Sequence, residues 1–183
     1  MIYFDALTES DCEQIRKWRN QDIAGARTPF LLTDEMQRDF YFDEVSNRDS
    51  KHRFWAICRD IDGCSWPLIV EGKTNTLYPV TERHLVGIAG LSNIEWENGC
   101  AEIALMISPD ERRNGYGREA IELLKLWGFA RMGLKVIYAQ VYGCNPDVKF
   151  WEKLDYTFLC TMPSRKLWDG KRWPIYYYQW ENM

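Results

Sequence analysis

The sequence of 183 residues predicts one α/β domain (more narrowly α+β), a mixed, mostly antiparallel, centrally splayed sheet flanked by helices. Three observations carry this. Turn signals at Glu97-Asn98-Gly99 and at Asp169-Gly170 each lie between strand-like runs, so each predicts a hairpin. Stretches of helical period occur near the start and at about 115 to 131. Finally, the order strand, helix, strand from residue 100 to 142 requires a crossover, and a crossover makes the two strands parallel or splayed.

The elements follow in order. Residues 2 to 7 read as a strand. Thr8 and Ser10 are both good N-caps, and Ser10 with Glu13 fits a capping box. The helix beyond carries Cys12, Ile15 and Trp18 on one face and ends at Trp18-Arg19-Asn20. An irregular link, 20 to 32, holds Gly25 and Pro29. Thr33 caps a second helix, roughly 34 to 45, with Met36, Phe40 and Tyr41 inward. Residues 53 to 60 form a strand. Residues 61 to 83, with Pro67, Gly72, Asn75 and Pro79, read as a loop insertion, either a cover for a binding site or a plain hairpin. His84 to Leu91 and Cys100 to Ile107 make the first hairpin. In the second of these strands Ala101, Ile103, Leu105 and Ile107 share one face, and Glu102, Ala104 and Met106 the other. Ala120, Leu123, Leu124, Trp127 and Ala130 point inward from the long helix, which Gly133 ends in a left-handed cap. Lys135 to Tyr142 is apolar on both faces and therefore central. Asn145 caps a helix at about 147 to 154 with Pro146 at its first position. The chain closes with a hairpin whose last strand is Ile175 to Trp180. Arg165, Lys166, Lys171 and Arg172 form a basic tip, either solvated or in contact with an anionic substrate.

Composition bounds the function. Hydrophobic residues make up 46% of the chain, as in ordinary globular domains. No apolar run approaches the roughly 20 residues that cross a bilayer, so no membrane contact is expected. The six cysteines are scattered without a C-x-x-C pair, and neither His52 nor His84 neighbours a cysteine in sequence. That excludes a zinc site, predicts no metal, and fits reduced thiols in a cytoplasmic protein with no secretory leader. A net charge of −4 argues against duplex nucleic acid as a partner and permits a cationic amine.

The most informative stretch is Arg112-Arg113-Asn114-Gly115-Tyr116-Gly117-Arg118, between a strand and a helix start. Helix N-termini offer unpaired N–H groups and a positive dipole end. Glycines let an anion approach the backbone, and arginines add forked donors. The stretch therefore reads as a pyrophosphate cradle or as a mere turn of the chain. No Gly-Lys-Ser/Thr follows, so it is not a Walker loop. The third glycine of a dinucleotide fingerprint is replaced by Ala120, which that fingerprint tolerates, so context separates the two. Glu102 reads as a surface or structural charge or, if buried, as a general base.

Arg112-x-x-Gly115-x-Gly117 resembles the R/Q-x-x-G-x-G/A signature of the GNAT N-acetyltransferases. The resemblance extends to Ala101-Glu102-Ile103, Pro109, Arg118-Glu119-Ala120, Asn145 and Trp151-Glu152-Lys153-Leu154. Trp18-Arg19-Asn20 resembles the subgroup containing ribosomal-protein N-terminal, polyamine and amino-sugar acetyltransferases. The resemblance implies a single GNAT domain over 1 to 183 and acetyl-CoA as co-substrate. It implies acetyl transfer to the primary amine of a small molecule (an amino sugar, a nucleotide-linked amine or a polyamine) by direct attack. A protein N-terminus or lysine is the rival acceptor, a non-catalytic acyl-CoA-binding module the rival class, and a homodimer stays open. By the same resemblance the 112 to 118 stretch, Tyr116 included, holds the pyrophosphate, Met106 and Ile107 meet the pantetheine arm, and Asn145 assists. Trp18, Arg19 and Phe30 border the acceptor, with Phe40 and Tyr41 as further candidates, although core packing is the plainer role for Trp18 and for most of the other aromatics. One departure matters. The family's tyrosine acid before Glu-Lys-Leu is here Trp151, and an indole N–H does not release a proton at neutral pH. Tyr142, Tyr156 or water would then protonate the leaving thiolate, or catalysis has been lost.

Overall fold

The computed structural model describes residues 1–59 and 83–182. The expected insertion at 61 to 83 falls, apart from Arg83, outside the described residues. Among the described residues seven strands form one sheet in the order β1-β2-β3-β4-β5-β7-β6. They are β1 (Ile2–Ala6), β2 (Arg53–Arg59), β3 (His84–Glu95), β4 (Cys100–Ile107), β5 (Val136–Tyr142), β6 (Thr157–Trp168) and β7 (Lys171–Glu181). Every neighbouring pair is antiparallel except β4 and β5, which are parallel.

That parallel pair is short. Cys100, Ala101 and Glu102 face Val136, Ile137 and Tyr138, and there the pairing stops. Beyond it β4 stays with β3 up to Ile107, while β5 stays with β7 up to Tyr142. The two halves of the sheet therefore part after Glu102, as the sequence predicts. Backbone groups on the inner edges of the gap lose their ladder partners and must find others.

Helices cover both faces. On one side lie α1 (Glu9–Gln21) and α2 (Asp34–Phe40), over a core of Leu7, Cys12, Ile15, Trp18, Ala56 and Cys58. On the other lie α3 (Tyr116–Lys125) and α4 (Val148–Trp151), over a larger core that includes Val86, Leu91, Ile103, Ile121, Leu124 and Ile137. The alternation read for β4 holds, because Ala101, Ile103, Leu105 and Ile107 belong to the α3 core and Met106 packs with the α1 core. Burial pushes the Cys12 thiol up to about 12, so it is an inert core group.

Several local readings shift. Thr8, not Ser10, caps α1, and Asp11 closes the capping box. The helix read as 34 to 45 is α-helical to Phe40 and then widens into a π turn, Tyr41–Val45. Gln37 is buried there while Met36 is exposed. The long helix makes the same change at Leu126–Arg131. A π turn fits extra residue length into one turn, so the inward stripe slips: Gly128 is buried and Ala130 exposed. Asn145 does not cap α4 directly. Its Oδ1 accepts from the Asp147 amide at 2.8 Å in an Asx turn, and α4 spans only four residues. Lys166, read as part of a basic hairpin tip, is instead 8% exposed. Residues Asp169 and Gly170 both have positive φ, 48° and 69°, as a type I′ turn requires. β6 is an edge strand whose register shifts between Met162 and Lys166.

Candidate active site

The parting of β4 and β5 opens into a cavity of about 1190 Å³. That exceeds the roughly 300–1,000 Å³ usual for one small ligand, so two substrates fit. Its walls draw on the 112–118 bend, the parted ends of β4 and β5, the 145–147 turn and the segment joining α1 to α2.

The bend runs from β4 into α3. Gly115 is the N-cap, at φ 86°, a left-handed conformation that glycine enters without a Cβ penalty. The amides of Arg118 and Glu119 both donate to its carbonyl. The amides of Gly115, Tyr116 and Gly117 donate to no acceptor among the described residues. Gly115 is exposed, so those N–H groups are open to an incoming acceptor. Gly117 faces the ring of Phe150, where an added Cβ would lie 3.2 Å from Cζ.

The arginines of the bend are not equivalent. Arg112 donates to Asp22 at 2.9 Å and lies 3.6 Å from Asp147. Arg118 donates to the Lys153 carbonyl at 2.9 Å. Arg113, at φ 68° and exposed, has no partner among the described residues. Asn114 reaches back to Glu111 at 3.3 Å.

Glu102 sits where the strands part and is 4% exposed. Its Oε1 accepts from Arg27 Nη2 and its Oε2 from Asn93 Nδ2 at 3.0 Å. Asn93 reaches it because β3 bulges between Ser92 and Glu95, leaving Asn93 at φ 50°. A bulge re-aims a side chain in this way. Burying a carboxylate costs on the order of several kcal/mol, and paired, hydrogen-bonded geometry offsets that. Each oxygen keeps a lone pair for a third partner. Of the two buried-or-surface readings for Glu102, the buried one is observed. His52 completes the cluster. Its Nδ1 accepts from the Asn93 amide at 3.2 Å, and its Nε2 lies 3.3 Å from Glu44. Phe40 and Phe54 stand beside these groups with ring centroids 5.1 Å apart.

Tyr142 also lines the cavity, with Lys166 Nζ 4.7 Å from its ring centroid. Met106, Ile107, Asn145 and Arg19 are cavity residues as well. Of the other expected site residues, Asn114 turns back to Glu111 outside the cavity lining, and three lie elsewhere. Trp18 is 8% exposed in the α1 core, where its large apolar ring is best placed. Phe30 is 48% exposed and outside the cavity lining. Tyr156 packs on Tyr178, ring centroids 4.2 Å apart, away from the lining; burial raises its phenol above the usual range. The three residues of Trp18-Arg19-Asn20 thus divide their work. Trp18 fills the core, Arg19 faces the cavity, and Asn20 clasps both backbone groups of Leu32 at 2.9 Å, closing the loop between α1 and α2.

Sequence reasoning missed Arg27, Asn93, Asp22 and His52. Arg27 lies in an irregular link with nothing to mark it. Asn93 could have been suspected, since asparagine tolerates positive φ and often marks a bulge or turn.

Residues 2–154 match the acetyltransferase (GNAT) domain, and the chain belongs to the GNAT acetyltransferase family, a family of N-acetyltransferases that use acetyl-CoA. An uncharacterized N-acetyltransferase p20 of Bacillus licheniformis is 29% identical over 92 residues, 49% of this chain and 52% of that protein. The chain thus spans about half the length of that relative. The spermidine N-acetyltransferase of Vibrio cholerae in complex with CoA and spermine superposes with a TM-score of 0.77 at 16% identity, covering 98% of this chain and 95% of the other. A dodecameric structure of the same enzyme in an intermediate state gives 0.73 at 16% identity, with 98% and 93% covered. At such identity these likenesses speak for the fold alone. No helix among the described residues is long and apolar enough to cross a membrane, and none of their side-chain clusters is built to hold a metal ion.

Proposed function

We propose that the chain transfers acetyl from acetyl-CoA to the primary amine of a small molecule. The observation that carries this reading is the Gly115 to Gly117 bend, whose amides meet no acceptor among the described residues, opening into a cavity roomy enough for two substrates. Arg113 joins those amides on the pyrophosphate, and Arg112 does so by leaving Asp22 and Asp147. Tyr116, Asn114 and Arg118 frame the same bend. Met106 and Ile107, on the length of β4 that has parted from β5 while still paired with β3, lie where backbone groups on the free edge can meet the pantetheine arm. Asn145 borders the opposite wall. When bound, acetyl-CoA supplies an activated acetyl group.

The chain's own residues then divide the proton work. Glu102, paired with Arg27, accepts the proton that the acceptor ammonium must lose, directly or through water. A backbone N–H near Met106 is positioned to stabilise charge developing on the carbonyl oxygen. Tyr142 is the proton donor to the leaving thiolate, since Tyr156 lies away from the cavity and Trp151 offers only an indole. Tyr142→Phe is expected to lower kcat by about 10²-fold, the low end of the range for a lost acid, because water can substitute. Retention of full kcat would remove Tyr142 from this role.

Glu44, Glu102, Phe40 and Phe54 give the acceptor side carboxylates and aromatic walls, suited to a small organic amine. The test is thiol release from acetyl-CoA against a panel of amines, with acetyl-CoA binding followed by calorimetry. Release with a small amine sustains the reading. Release only with peptides would shift the acceptor to a protein amine. Tight binding without release on any amine would make the chain an acyl-CoA-binding module. A homo-oligomer is compatible with this reading, and the spermidine N-acetyltransferase cited above forms a dodecamer.

A further inference from the structure

Charge is unevenly paired around the cavity. Arg27 answers Glu102, and Arg112 answers Asp22 and Asp147. Arg19 answers no carboxylate among the described residues. It projects from the last turn of α1 into the cavity lining, half-buried, and its hydrogen-bond partner is the hydroxyl of Thr28. Burial alone lowers its guanidinium from the ordinary value, with no acid opposing the shift.

Lys166 is in the same condition. It enters from β6, is 8% exposed, and donates to the carbonyls of Ala26 at 2.8 Å and Arg27 at 3.2 Å. Its ammonium has carbonyls and the Tyr142 ring around it, but no carboxylate among the described residues. Burial lowers it most, the nearby Cys144 thiol works against that shift, and the charge of Arg19 lowers it further, so the two cations share one field.

A cation withdrawn from water without a counter-charge costs free energy. Thr28 fixes the fork of Arg19, and Asn20 fixes the loop that carries Thr28. Arg19 is thus held in place, positive and open to the cavity, while Lys166 adds its charge from behind the lining; a fixed guanidinium of this kind suits an anion. Glu102 and Glu44, which line the same cavity, supply the opposite sign. We propose that Arg19, seconded by Lys166, is an anion subsite for the acceptor, so the acceptor is a primary amine that also bears a carboxylate or a phosphate. Of the small-amine candidates, this favours phosphorylated or amino-acid-like amines over polyamines. The inference rests on the small-amine reading given above.

Matched pairs test it: ethylamine against β-alanine, ethanolamine against O-phosphoethanolamine, and glucosamine against glucosamine 6-phosphate, with spermidine beside them at fixed ionic strength. In at least one pair the anionic member is expected to be favoured about 10- to 100-fold in kcat/KM, the range of one charge-assisted contact. Arg19→Gln should collapse that ratio towards unity, chiefly through KM, and Arg19→Lys should restore part of it. The carboxylate and phosphate arms decide which anion is taken. The inference is overturned if the uncharged member or spermidine is preferred throughout, or if Arg19→Gln leaves the ratio unchanged. A tenfold loss of acetyl-CoA affinity in Arg19→Gln would also overturn it, because the anion would then belong to the donor. If no amine releases thiol, calorimetry of the same amines on the acetyl-CoA-loaded protein decides. Arg19-dependent binding would keep the subsite while ending the transfer reading, and its absence would end the subsite.

Discussion

Acetyl-CoA affinity is expected to fall by about 10²-fold or more in Gly117→Val, with the fold intact. The magnitude follows from charge-assisted hydrogen bonds between backbone amides and a diphosphate, each worth about 1.5–3 kcal/mol. Pushing the anion off two such donors spans at least two decades in Kd. Gly117 sits at the second position of α3 with its missing side chain directed at Phe150. A branched side chain there meets Phe150 Cζ and narrows the approach to the open amides. Phe150 is half-buried on the four-residue α4, at the margin of the α3 core and edge-on to Trp151, and a 3.2 Å approach asks its ring for only a small shift. Calorimetry with acetyl-CoA reads the affinity, and a thermal melt reads the fold. Wild-type affinity in a folded variant would mean that the bend grips nothing.

The second large effect is expected at Glu102. Glu102→Gln should lower kcat by about 10²–10⁴-fold, the usual contribution of a positioned base, with little change in acetyl-CoA affinity. The substitution is nearly isosteric. A glutamine oxygen still accepts from Arg27, and Asn93 can turn its own amide to match. Arg27, whose side chain is 58% exposed, tolerates losing its counter-charge because water replaces it. The rate of the variant should recover partly as pH rises, since the fraction of acceptor already neutral grows towards the amine's own pKa, about 10 for an alkylamine such as lysine. An unchanged kcat at neutral pH would show that the acceptor sheds its proton to solvent without help from this carboxylate.

Much of this architecture was legible because it is written locally. The Asp169-Gly170 hairpin is fixed by two adjacent residues that accept positive φ. The alternation of β4 is read from eight residues, and the crossover from β4 through α3 to β5 follows from connection rules. The Gly115 to Gly117 bend was visible for the same reason. What stayed hidden depends on distant partners. Arg27 meets Glu102 across 75 positions of sequence, and Arg112 meets Asp22 across 90. Lys166 looked like a solvated hairpin charge because nothing nearby in sequence announces the Ala26 and Arg27 carbonyls that receive it. Trp18 and Phe30 were placed by resemblance beside the acceptor, yet burial claims the first and solvent the second. The π turns escaped because they keep helical composition while changing the phase of the buried stripe.

The kink in β6 bears on how copies of this chain meet. Within the outermost strand, Pro163 supplies no N–H, Ser164 has φ 55°, and register with β7 is lost from Met162 to Lys166. A foreign strand could not zip along such a margin, because its ladder would break midway. Continuous main-chain pairing along this edge is therefore interrupted by the backbone itself. Self-association along this edge must use side-chain surfaces, and the apolar Phe158, Leu159 and Leu167 flanking the break are isolated footholds, too short for continuous main-chain pairing.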